Sequence, residues 1–474
     1  MKKVFFYVIA LSISVLFSAG AGAQTLKEIV AGPMLGQVEY RDAVIWVQPL
    51  AGVKAQLRYW KKDDPQMVQQ GGKLDVKRTA EINKKNTRLA LANVSADAEK
   101  QGMNVVQFVL SDLEVNTTYE YQVIAGSTTT PVASFTTKDL WQWRKPYPEF
   151  SFLTGSCSYM NQPQYDRPGK PYGGDSSIYE TMARENAAFM LWLGDNWYTR
   201  EVDYFSTPGL WYRAGYDRSR PVLQSFLKKM PHYAIWDDHD FGPNDMGREF
   251  ALKEESRKVF ASFWANPSYG ENGMGIYTKM SYGDVDFFML DDRTWRSSDR
   301  LQDSVDGKPN PLKKMFGDQQ MEWLKNALAG SAATFKIIAT GSQVLNPRSP
   351  FDCFRKFPIE YNNLMDFIRT QKISGVLFLT GDRHHSEVIK VEGLTGYPLY
   401  DVTVSPLTSG THIFGNEEKD NSYRVYGLDQ KQNYAKVSFS GKPKDRRMTF
   451  SFIGVRGEKL GEWSVHEKEL QLTK

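Results

Sequence analysis

The sequence predicts a two-domain chain, in which a small all-β domain precedes a larger α/β domain of layered strands and helices. Three observations support this prediction. The length of 474 residues exceeds that of one ordinary domain. Residues 25–140 contain short alternating or β-branched runs that are separated by turn residues. From residue 149 onward, apolar strand-like runs alternate with helix-like segments, which is typical of an α/β layer domain.

The N-terminus has the layout of a secretory signal peptide. Lys2 and Lys3 precede an apolar segment from Val4 to Phe17, and small residues follow up to Ala23. This order predicts a signal peptide over residues 1–23, with cleavage after Ala23. The apolar segment is shorter than the ~18 residues that a membrane span needs, so we expect no transmembrane anchor. We therefore expect an exported protein, either periplasmic or secreted.

Composition and charge argue against two broad classes of protein. Hydrophobic residues make up 41% of the chain and aromatic residues 13%, which is enough for packed cores and argues against global disorder. The formal charge is +4, from 59 basic and 55 acidic residues, and the chain has no long basic run. It therefore carries no nucleic-acid-binding signature. We expect a monomer.

The first domain, residues 25–140, is expected to be a β-sandwich. In the segment "LEVNTTYEYQV", a leucine and a polar turn precede Tyr119 and Tyr121 at the start of a strand. This pattern predicts the tyrosine corner of a fibronectin type III or immunoglobulin-like sandwich. The alternative is a simple aromatic hairpin. The polar, aromatic and proline-bearing segment 138–149 is expected to be the linker.

The second domain, residues 149–474, alternates strands with helices. Each predicted helix precedes a short apolar run, as expected when helices pack on the faces of a sheet. The helical segments cover residues 176–189, 220–230, 318–330 and 361–372.

Five apolar runs of this domain end in residue types that react or bind metals. The runs are "FLTGSC", "LWLGDNWY", "AIWDDHD", "IIATGSQ" and "LFLTGDRHH". In α/β sheets, ligands bind beyond the carboxyl ends of the strands. If the strands share one sheet, one edge collects Cys157, Asp195, Tyr198, Asp237, Asp238, His239, Asp240, Asp382, His384 and His385. Crowded carboxylates repel one another, and a bound cation keeps them ionised.

The order "GSC", "GDNWY", "WDDHD", "LDDRTW" and "GDRHH" resembles the alkaline phosphatase D family of the metallophosphoesterases. That family is similar to purple acid phosphatases at the metal centre. The opening segment "AGPMLGQVEYRDAVIWVQ" is similar to the family's first strands. The resemblance implies a metallophosphoesterase-type β-sandwich flanked by helices. The family's twin-arginine export signal is replaced here by Met1-Lys2-Lys3, which favours general secretion.

The resemblance also implies a role for each motif residue. Asp195 would bridge two metals, and three residues would complete the site of the redox-type metal: Cys157, Tyr198 and His384. The second metal would be held by Asp238, Asp382 and Asn244.

Ligand chemistry supports this division of the residues. Thiolate, phenolate and imidazole suit a transition metal, whereas carboxylate and amide oxygens suit Ca²⁺. We therefore expect Fe³⁺ and Ca²⁺ in a binuclear or multinuclear centre, with Zn²⁺ or Mn²⁺ as alternatives. A metal-activated hydroxide would attack a phosphate ester, and a second cation would neutralise the phosphate oxygens. The substrate would be a small-molecule or lipid phosphate ester.

Further residues near these motifs have two interpretations each. His239 is a candidate proton donor or leaving-group stabiliser, or else a partner that orients a carboxylate. Arg293 is a candidate phosphate clamp, or else forms a salt bridge with Asp291 or Asp292. Asn196 and His385 are candidates for substrate contact or for support of the ligands.

The function that follows is that of an alkaline phosphatase D-like phosphoric ester hydrolase that acts on monoesters and on diesters. The alternatives are a phosphodiesterase or phospholipase D-type hydrolase, and a non-catalytic exported binding protein. Chelator-sensitive turnover separates the enzymes from the binding protein, whereas pocket shape separates monoesters from diesters.

The two cysteines, Cys157 and Cys353, offer a disulfide in an oxidising compartment. Cys157 follows a strand in the same way as the acidic motifs do. We therefore predict a free thiolate at Cys157 that binds metal, rather than a disulfide.

Export predicts that native protein lacks residues 1–23. N-terminal sequencing of material from the periplasm or medium is expected to begin at or near Gln24. An intact Met1 on protein that is found only in the cytoplasm would contradict this prediction.

Overall fold

The structure is a computed structural model that describes residues 27–62 and 87–472. The predicted signal peptide, residues 1–23, lies outside the described residues.

The N-terminal part is all-β and consists of two facing antiparallel sheets with the orders β1-β2-β6-β5 and β4-β3-β7-β8; β9 also pairs with β7. A separate hydrophobic core fills the space between them. The strands are β1 Ile29–Val38, β2 Ala43–Pro49, β3 Ala55–Lys61, β4 Arg88–Leu89, β5 Leu91–Val94, β6 Val106–Leu110, β7 Thr118–Ala125, β8 Thr128–Thr129 and β9 Ala133–Thr136. The predicted all-β domain is confirmed.

The tyrosine corner is present at the start of β7. The backbone N–H of Glu114 donates to the Tyr119 hydroxyl at 2.9 Å, and Leu113 is fully buried beside it. The hydroxyl thereby fixes the turn that precedes the strand, as in other sandwiches. The hydroxyl of Tyr121, two residues on, is buried without a hydrogen-bond partner in the described part of the chain.

The second part contains two mixed sheets, with the orders β12-β11-β10-β22-β23-β24 and β13-β14-β17-β18-β20-β19-β21, and a small hairpin of β15 and β16. Strands β10, β11 and β12 run parallel, as do β14, β17, β18 and β20. The strands are β10 Phe150–Gly155, β11 Met190–Leu193, β12 His232–Ile235, β13 Thr278–Tyr282, β14 Val285–Met289, β15 Ser304–Val305, β16 Lys308–Pro309, β17 Phe335–Ala339, β18 Val376–Thr380, β19 Ser386–Val391, β20 Leu399–Thr403, β21 Arg424–Leu428, β22 Asn433–Ser440, β23 Arg447–Gly454 and β24 Lys459–His466.

The layered α/β fold is confirmed, but the five motif-bearing strands do not share one sheet. Strands β10, β11 and β12 belong to one sheet, whereas β17 and β18 belong to the other. The carboxyl ends still meet, because the Gly381 N–H after β18 donates to Gly341 after β17, while Gly381 itself packs against Ser156 after β10. The site therefore lies where two sheets converge.

Helices surround the two sheets. The described helices are Ala96–Lys100, Ile178–Arg184, Thr207–Arg218, Pro221–Leu227, Asp238–Phe241, Lys253–Phe263, Gly317–Ala329, Pro358–Thr370 and Asn416–Lys419, with short 3₁₀ turns at Phe354–Lys356 and Glu467–Leu470. In the described ranges, none of these helices is long and apolar enough to cross a membrane.

Helix Thr207–Arg218 was not predicted, because a proline and two glycines weaken its intrinsic propensity. Packing stabilises it instead: Trp211 is buried, and the buried Arg213 bridges Asp203 and Asp217. Tertiary contacts therefore outweigh propensity here.

The two parts pack closely on each other. The indole N–H of Trp46 donates to the Ser262 carbonyl at 2.8 Å, and the Gln107 amide donates to the carbonyls of Ala261 and Trp264. The guanidinium of Arg218 lies 5.7 Å from the centre of the Trp46 ring. The β-domain therefore supports helix Lys253–Phe263, which flanks the site.

We predict that Tyr119→Phe destabilises the protein by about 1 kcal/mol, because the Glu114 N–H loses its acceptor. Tyr121→Phe is the matched control, since it removes a buried hydroxyl without a partner, and we expect no loss of stability. Urea unfolding measures both. Equal losses of unfolding free energy in the two variants would contradict the assignment of Tyr119 as the tyrosine corner.

Candidate metal centre

Four candidate ligand residues adopt the left-handed backbone region where their strands end. The φ angles are 62° at Cys157, 53° at Asp195, 67° at Asp382 and 56° at His384. This region costs free energy for residues other than glycine, and it is concentrated at functional sites. The tight turns direct these residues toward one another from three strand ends.

Glycines let the turns approach closely. Gly194 has a φ of 91°, and a Cβ there would lie 2.7 Å from the Asp237 Cβ. A Cβ on Gly381 would lie 2.7 Å from both Ser156 Cβ and the Leu193 carbonyl. Any side chain at these two positions would push the strand ends apart.

A first group of ligand atoms comes from Cys157, Asp195 and His384, whose ligand atoms all lie within 4.8 Å of one another. Tyr198 joins this group: its hydroxyl donates to Asp195 Oδ2 at 2.9 Å and lies 3.1 Å from His384 Nε2. The Cys157 Sγ lies 3.5 Å from the same Asp195 oxygen. Thiol, carboxylate, phenol and imidazole are thus brought together as predicted.

A second group consists of Asp195, Asp238 and His239, within the same 4.8 Å limit. Asp195 therefore belongs to both groups. Its two oxygens face different partners, since Oδ2 contacts Tyr198 and Cys157 while Oδ1 accepts the His239 backbone N–H at 3.3 Å. This arrangement suits a carboxylate that bridges two cations.

The motif "DDHD" forms one helical turn that positions the second group. Asp237 caps the turn Asp238–Phe241, and Asp240 reaches back to the Asp237 N–H. Asp240 also accepts the backbone N–H of Asn196 at 2.6 Å and its side-chain amide at 3.0 Å. Asp240 therefore joins this turn to the one that carries Asp195.

Burial raises the pKa of three acidic groups of this site and so favours their neutral forms. Burial first, and then the charges of Asp238, Asp240 and Asp382, raise the pKa of Asp195 well above its usual value. Burial first, and then the charges of Asp352 and Asp238, raise the pKa of Asp382 to about 7 against the opposing charge of Arg383. Burial and Asp195 likewise raise the pKa of the Cys157 thiol.

These residues fit a metal centre. Asp238 Oδ1 is buried without a hydrogen-bond partner among the described residues, and so is Asn196 Oδ1. Buried oxygens without partners are costly, and a cation both satisfies them and reverses the pKa shifts of its neighbours. The donor set around Cys157 suits a soft or borderline metal, whereas the oxygens around Asp238 suit a hard one.

Asp382 and Asn244 border these groups. The Asp382 carbonyl oxygen lies 3.6 Å from Cys157 Sγ, but its carboxylate is not part of either group. Asn244 is exposed and lines a cavity together with His239 and Tyr198. Their assignment to the second metal stays a prediction.

Arg293 forms buried salt bridges at the second strand-end turn. The side chain has 0% exposure, and its Nε and Nη2 both bind Asp237 Oδ1, while Nη2 also lies 3.2 Å from Asp352. The main salt-bridge partner is thus Asp237 rather than Asp291 or Asp292, and Asp292 is 3.8 Å away. Arg293 Nη1 is buried without a hydrogen-bond partner among the described residues, and the role of phosphate clamp stays a prediction. Arg293 holds Asp237, against which Gly194 packs.

His239 and His385 occupy different surroundings. The His239 ring stacks on Tyr198, with 4.1 Å between the ring centres. His385 Nε2 lies 3.4 Å from the Glu387 carboxylate, and its ring contacts Phe414. His385 therefore lies against the ion pair of Glu387 with Arg424, away from the two groups of ligand atoms.

Cys157 and Cys353 are both free and buried in the structure, and the metal-bound thiolate at Cys157 stays a prediction. Cys353 Sγ lies 3.5 Å from the Val344 carbonyl, in a core environment. Ser405 Oγ donates to Cys157 Sγ at 3.1 Å, which supports the thiolate form.

Tyr172 and Asp352 are site residues that sequence reasoning missed. The Tyr172 hydroxyl lies 2.9 Å from His384 Nδ1, the ring nitrogen that faces away from Tyr198. Such a contact fixes the orientation of a ligating imidazole. Asp352 binds both Arg293 and Arg296. Both residues lie in loops without a strand-end pattern, so no local signal marked them.

Two family profiles match the chain. The profile described as purple acid phosphatase, N-terminal domain, matches residues 42–137, and the profile described as PhoD-like phosphatase matches residues 152–446. The second match covers more than half of the chain. The chain belongs to the PhoD-like phosphatase family.

Known relatives of this PhoD-like chain agree with that membership. Alkaline phosphatase D of Bacillus subtilis strain 168 is 26% identical over 318 residues, which cover 58% of this chain and 52% of that protein. The chain thus matches about half the length of this curated relative.

Solved structures show the same fold. The structure of PhoD superposes with a TM-score of 0.69 at 18% identity, over 93% of this chain and 90% of that one. A purple acid phosphatase from yellow lupin (Lupinus luteus) seeds superposes with a TM-score of 0.65 at 11% identity, over 92% of this chain and 74% of that one. Both comparisons show that this PhoD-like chain shares their fold.

Cys157→Ser is expected to remove most of any metal held by the first group of ligand atoms, because a hydroxyl is a far weaker ligand than a thiolate. Cys353→Ser is the matched control: it changes the other buried cysteine, away from the site, and is expected to leave the metal content unchanged. Elemental analysis of both purified proteins measures the difference. Equal metal content in the wild type and Cys157→Ser would contradict the ligand assignment.

Proposed function

We propose that this protein is an exported, metal-dependent phosphatase that hydrolyses phosphate esters. The supporting observation is the shared position of Asp195, whose two carboxylate oxygens face two separate groups of ligand atoms. Two adjacent cations are the arrangement used by many enzymes that hydrolyse phosphate esters. Family membership supports the same reaction.

The first group would hold Fe³⁺, through Cys157, Tyr198, His384 and Asp195. The second would hold Ca²⁺, through Asp195 and Asp238 together with Asp382 and Asn244. When bound, the two cations lower the pKa of a coordinated water and neutralise phosphate oxygens. Asp238 Oδ1, which is buried without a hydrogen-bond partner in the part of the chain that the structure describes, supports the second site.

We assign His239 to the leaving oxygen of the ester. Its ring lies on the wall of a cavity that reaches the site, and stacking on Tyr198 holds the ring in place. Burial lowers the pKa of His239, against the opposing charge of Asp238. The ring is therefore neutral at pH 7 or above, and it stabilises the leaving oxygen by donating its N–H rather than through a positive charge.

Arg293 and Asp240 act as positioning residues. Arg293 fixes Asp237, and Asp240 ties the Asp238–Phe241 turn to Asn196 beside Asp195. Because the two turns are locked together, the Asp195 and Asp238 carboxylates keep their relative positions when substrate binds. Folding therefore fixes the positions of these two carboxylates before substrate binds.

Diesters are a second substrate class that the cavities favour. One cavity contains Tyr198 and His239, and a second contains Gly410 and His412; Tyr172 lines both. A diester carries two substituents, one for each cavity, whereas a monoester carries one. Comparing turnover of a phosphate monoester with that of its methyl diester tests this preference.

Asp195→Asn is expected to retain the fold but to lower hydrolysis of generic phosphate esters by at least about 100-fold, because both metals lose a ligand. Metal content and turnover are measured on the folded variant. Asp112→Asn is the matched control, since Asp112 also has a left-handed backbone, with φ of 54°, but lies in an exposed turn of the β-domain.

Chelation of the wild type is expected to abolish turnover, and metal readdition to restore it. Full metal content with wild-type turnover in Asp195→Asn would contradict the proposed function. A folded protein that binds metal but hydrolyses neither monoesters nor diesters would instead favour a binding protein.

A further inference from the structure

A cavity of about 280 Å³ opens beside the metal centre, and tyrosines form much of its wall. They are Tyr159, Tyr165, Tyr172, Tyr198 and Tyr204. Tyr198 belongs to the first group of ligand atoms, and His239 of the second group lies on the same wall. A group bound in this cavity therefore lies next to the position that the phosphate takes in the proposed function.

The inner rings of this wall are held in place before anything binds. The Tyr159 hydroxyl donates to Asp166, which Arg200 binds at 2.9 Å, and the Arg200 guanidinium lies 4.0 Å from the Tyr159 ring centre. Tyr172 and Tyr198 each pack against Tyr159, with ring centres 5.0 Å away. Preorganised rings lose little conformational entropy on binding.

The side chains at the rim of the cavity are exposed and have few contacts with the rest of the protein. Tyr165 is 41% exposed, and none of the ring contacts described for this structure involves it. Among the described residues, the exposed Arg167 pairs with the exposed Glu201, and Lys170 has no ion-pair partner. The mouth therefore presents an accessible ring and positive charge that attracts an anionic ester.

From this geometry we propose that the cavity binds a planar aromatic group on the alcohol side of the phosphate ester, such as an aryl ring or a nucleobase. Tyrosine rings around a small cavity stack on flat π-systems, whereas a flexible alkyl chain loses more conformational entropy when it is ordered there. The size suits a single ring system rather than a polymer segment. This inference rests on the proposed function, since it concerns the substrate of the same site.

The test compares adenosine 5′-monophosphate with ribose 5-phosphate. Both release a primary alcohol of the same sugar, so a difference in kcat/KM reports the base rather than leaving-group chemistry. We expect the wild type to favour the nucleotide. Tyr165→Ala is expected to lower the ratio of the two kcat/KM values about tenfold, which corresponds to the loss of one stacked ring.

Two variants serve as controls. Tyr165→Phe retains the ring and is expected to retain the ratio. Tyr423→Ala removes a tyrosine of similar exposure, 39%, that does not line the cavity, and it is expected to leave the ratio unchanged. Binding of adenosine and of ribose, measured by calorimetry, gives a readout that needs neither metal nor turnover; only adenosine is expected to bind.

Equal kcat/KM for the two esters, or an unchanged ratio in Tyr165→Ala, would overturn the aromatic site and leave the proposed function standing. Hydrolysis of neither ester, with adenosine binding that depends on Tyr165, would support the aromatic site and count against the proposed monoester activity. Absence of adenosine binding would overturn the site whatever the turnover.

Discussion

The burial of Asp195 among other carboxylates is the constraint on which the site depends. Asp195 is 1% exposed, and the charges of Asp238, Asp240 and Asp382 all act on it. Isolated buried carboxylates become protonated rather than remain charged. The hydrogen bonds from Tyr198 and from the His239 backbone do not offset this burial, since the pKa of Asp195 stays well above its usual value. Cations on both sides of Asp195, as proposed above, would keep this carboxylate ionised.

The fold serves this constraint by bringing strand ends of two sheets together. Left-handed turns at Cys157, Asp195 and His384 direct their side chains inward, and Gly381 permits contact between the sheets. Behind them, buried ion pairs hold the turns, and Arg293 with Asp237 is the central one. Breaking such a pair by removing one partner is strongly destabilising. Rigidity at the site and stability of the sheets are therefore linked.

Most of the fold and the core of the site were accessible from the sequence, because strand ends carry a local signal. Apolar runs that stop at Gly-Asp, Gly-Ser or Asp-Asp marked β10, β11, β12, β17 and β18, and their polar ends supplied Cys157, Asp195, Tyr198 and His384. Division of these strands between two sheets depends on long-range pairing, which no local pattern encodes. Tyr172, in a loop, and the partner of Arg293 depend on tertiary contacts for the same reason.

Locating the metals themselves tests most directly whether Asp195 bridges two cations. Anomalous scattering from crystals of the protein with its native metals shows both the positions and the elements. We expect two peaks, one on each side of the Asp195 carboxylate. Cys157 and His384 would bind one of the metals, and Asp238 would bind the other. A single peak, or peaks that do not share Asp195, would contradict this assignment.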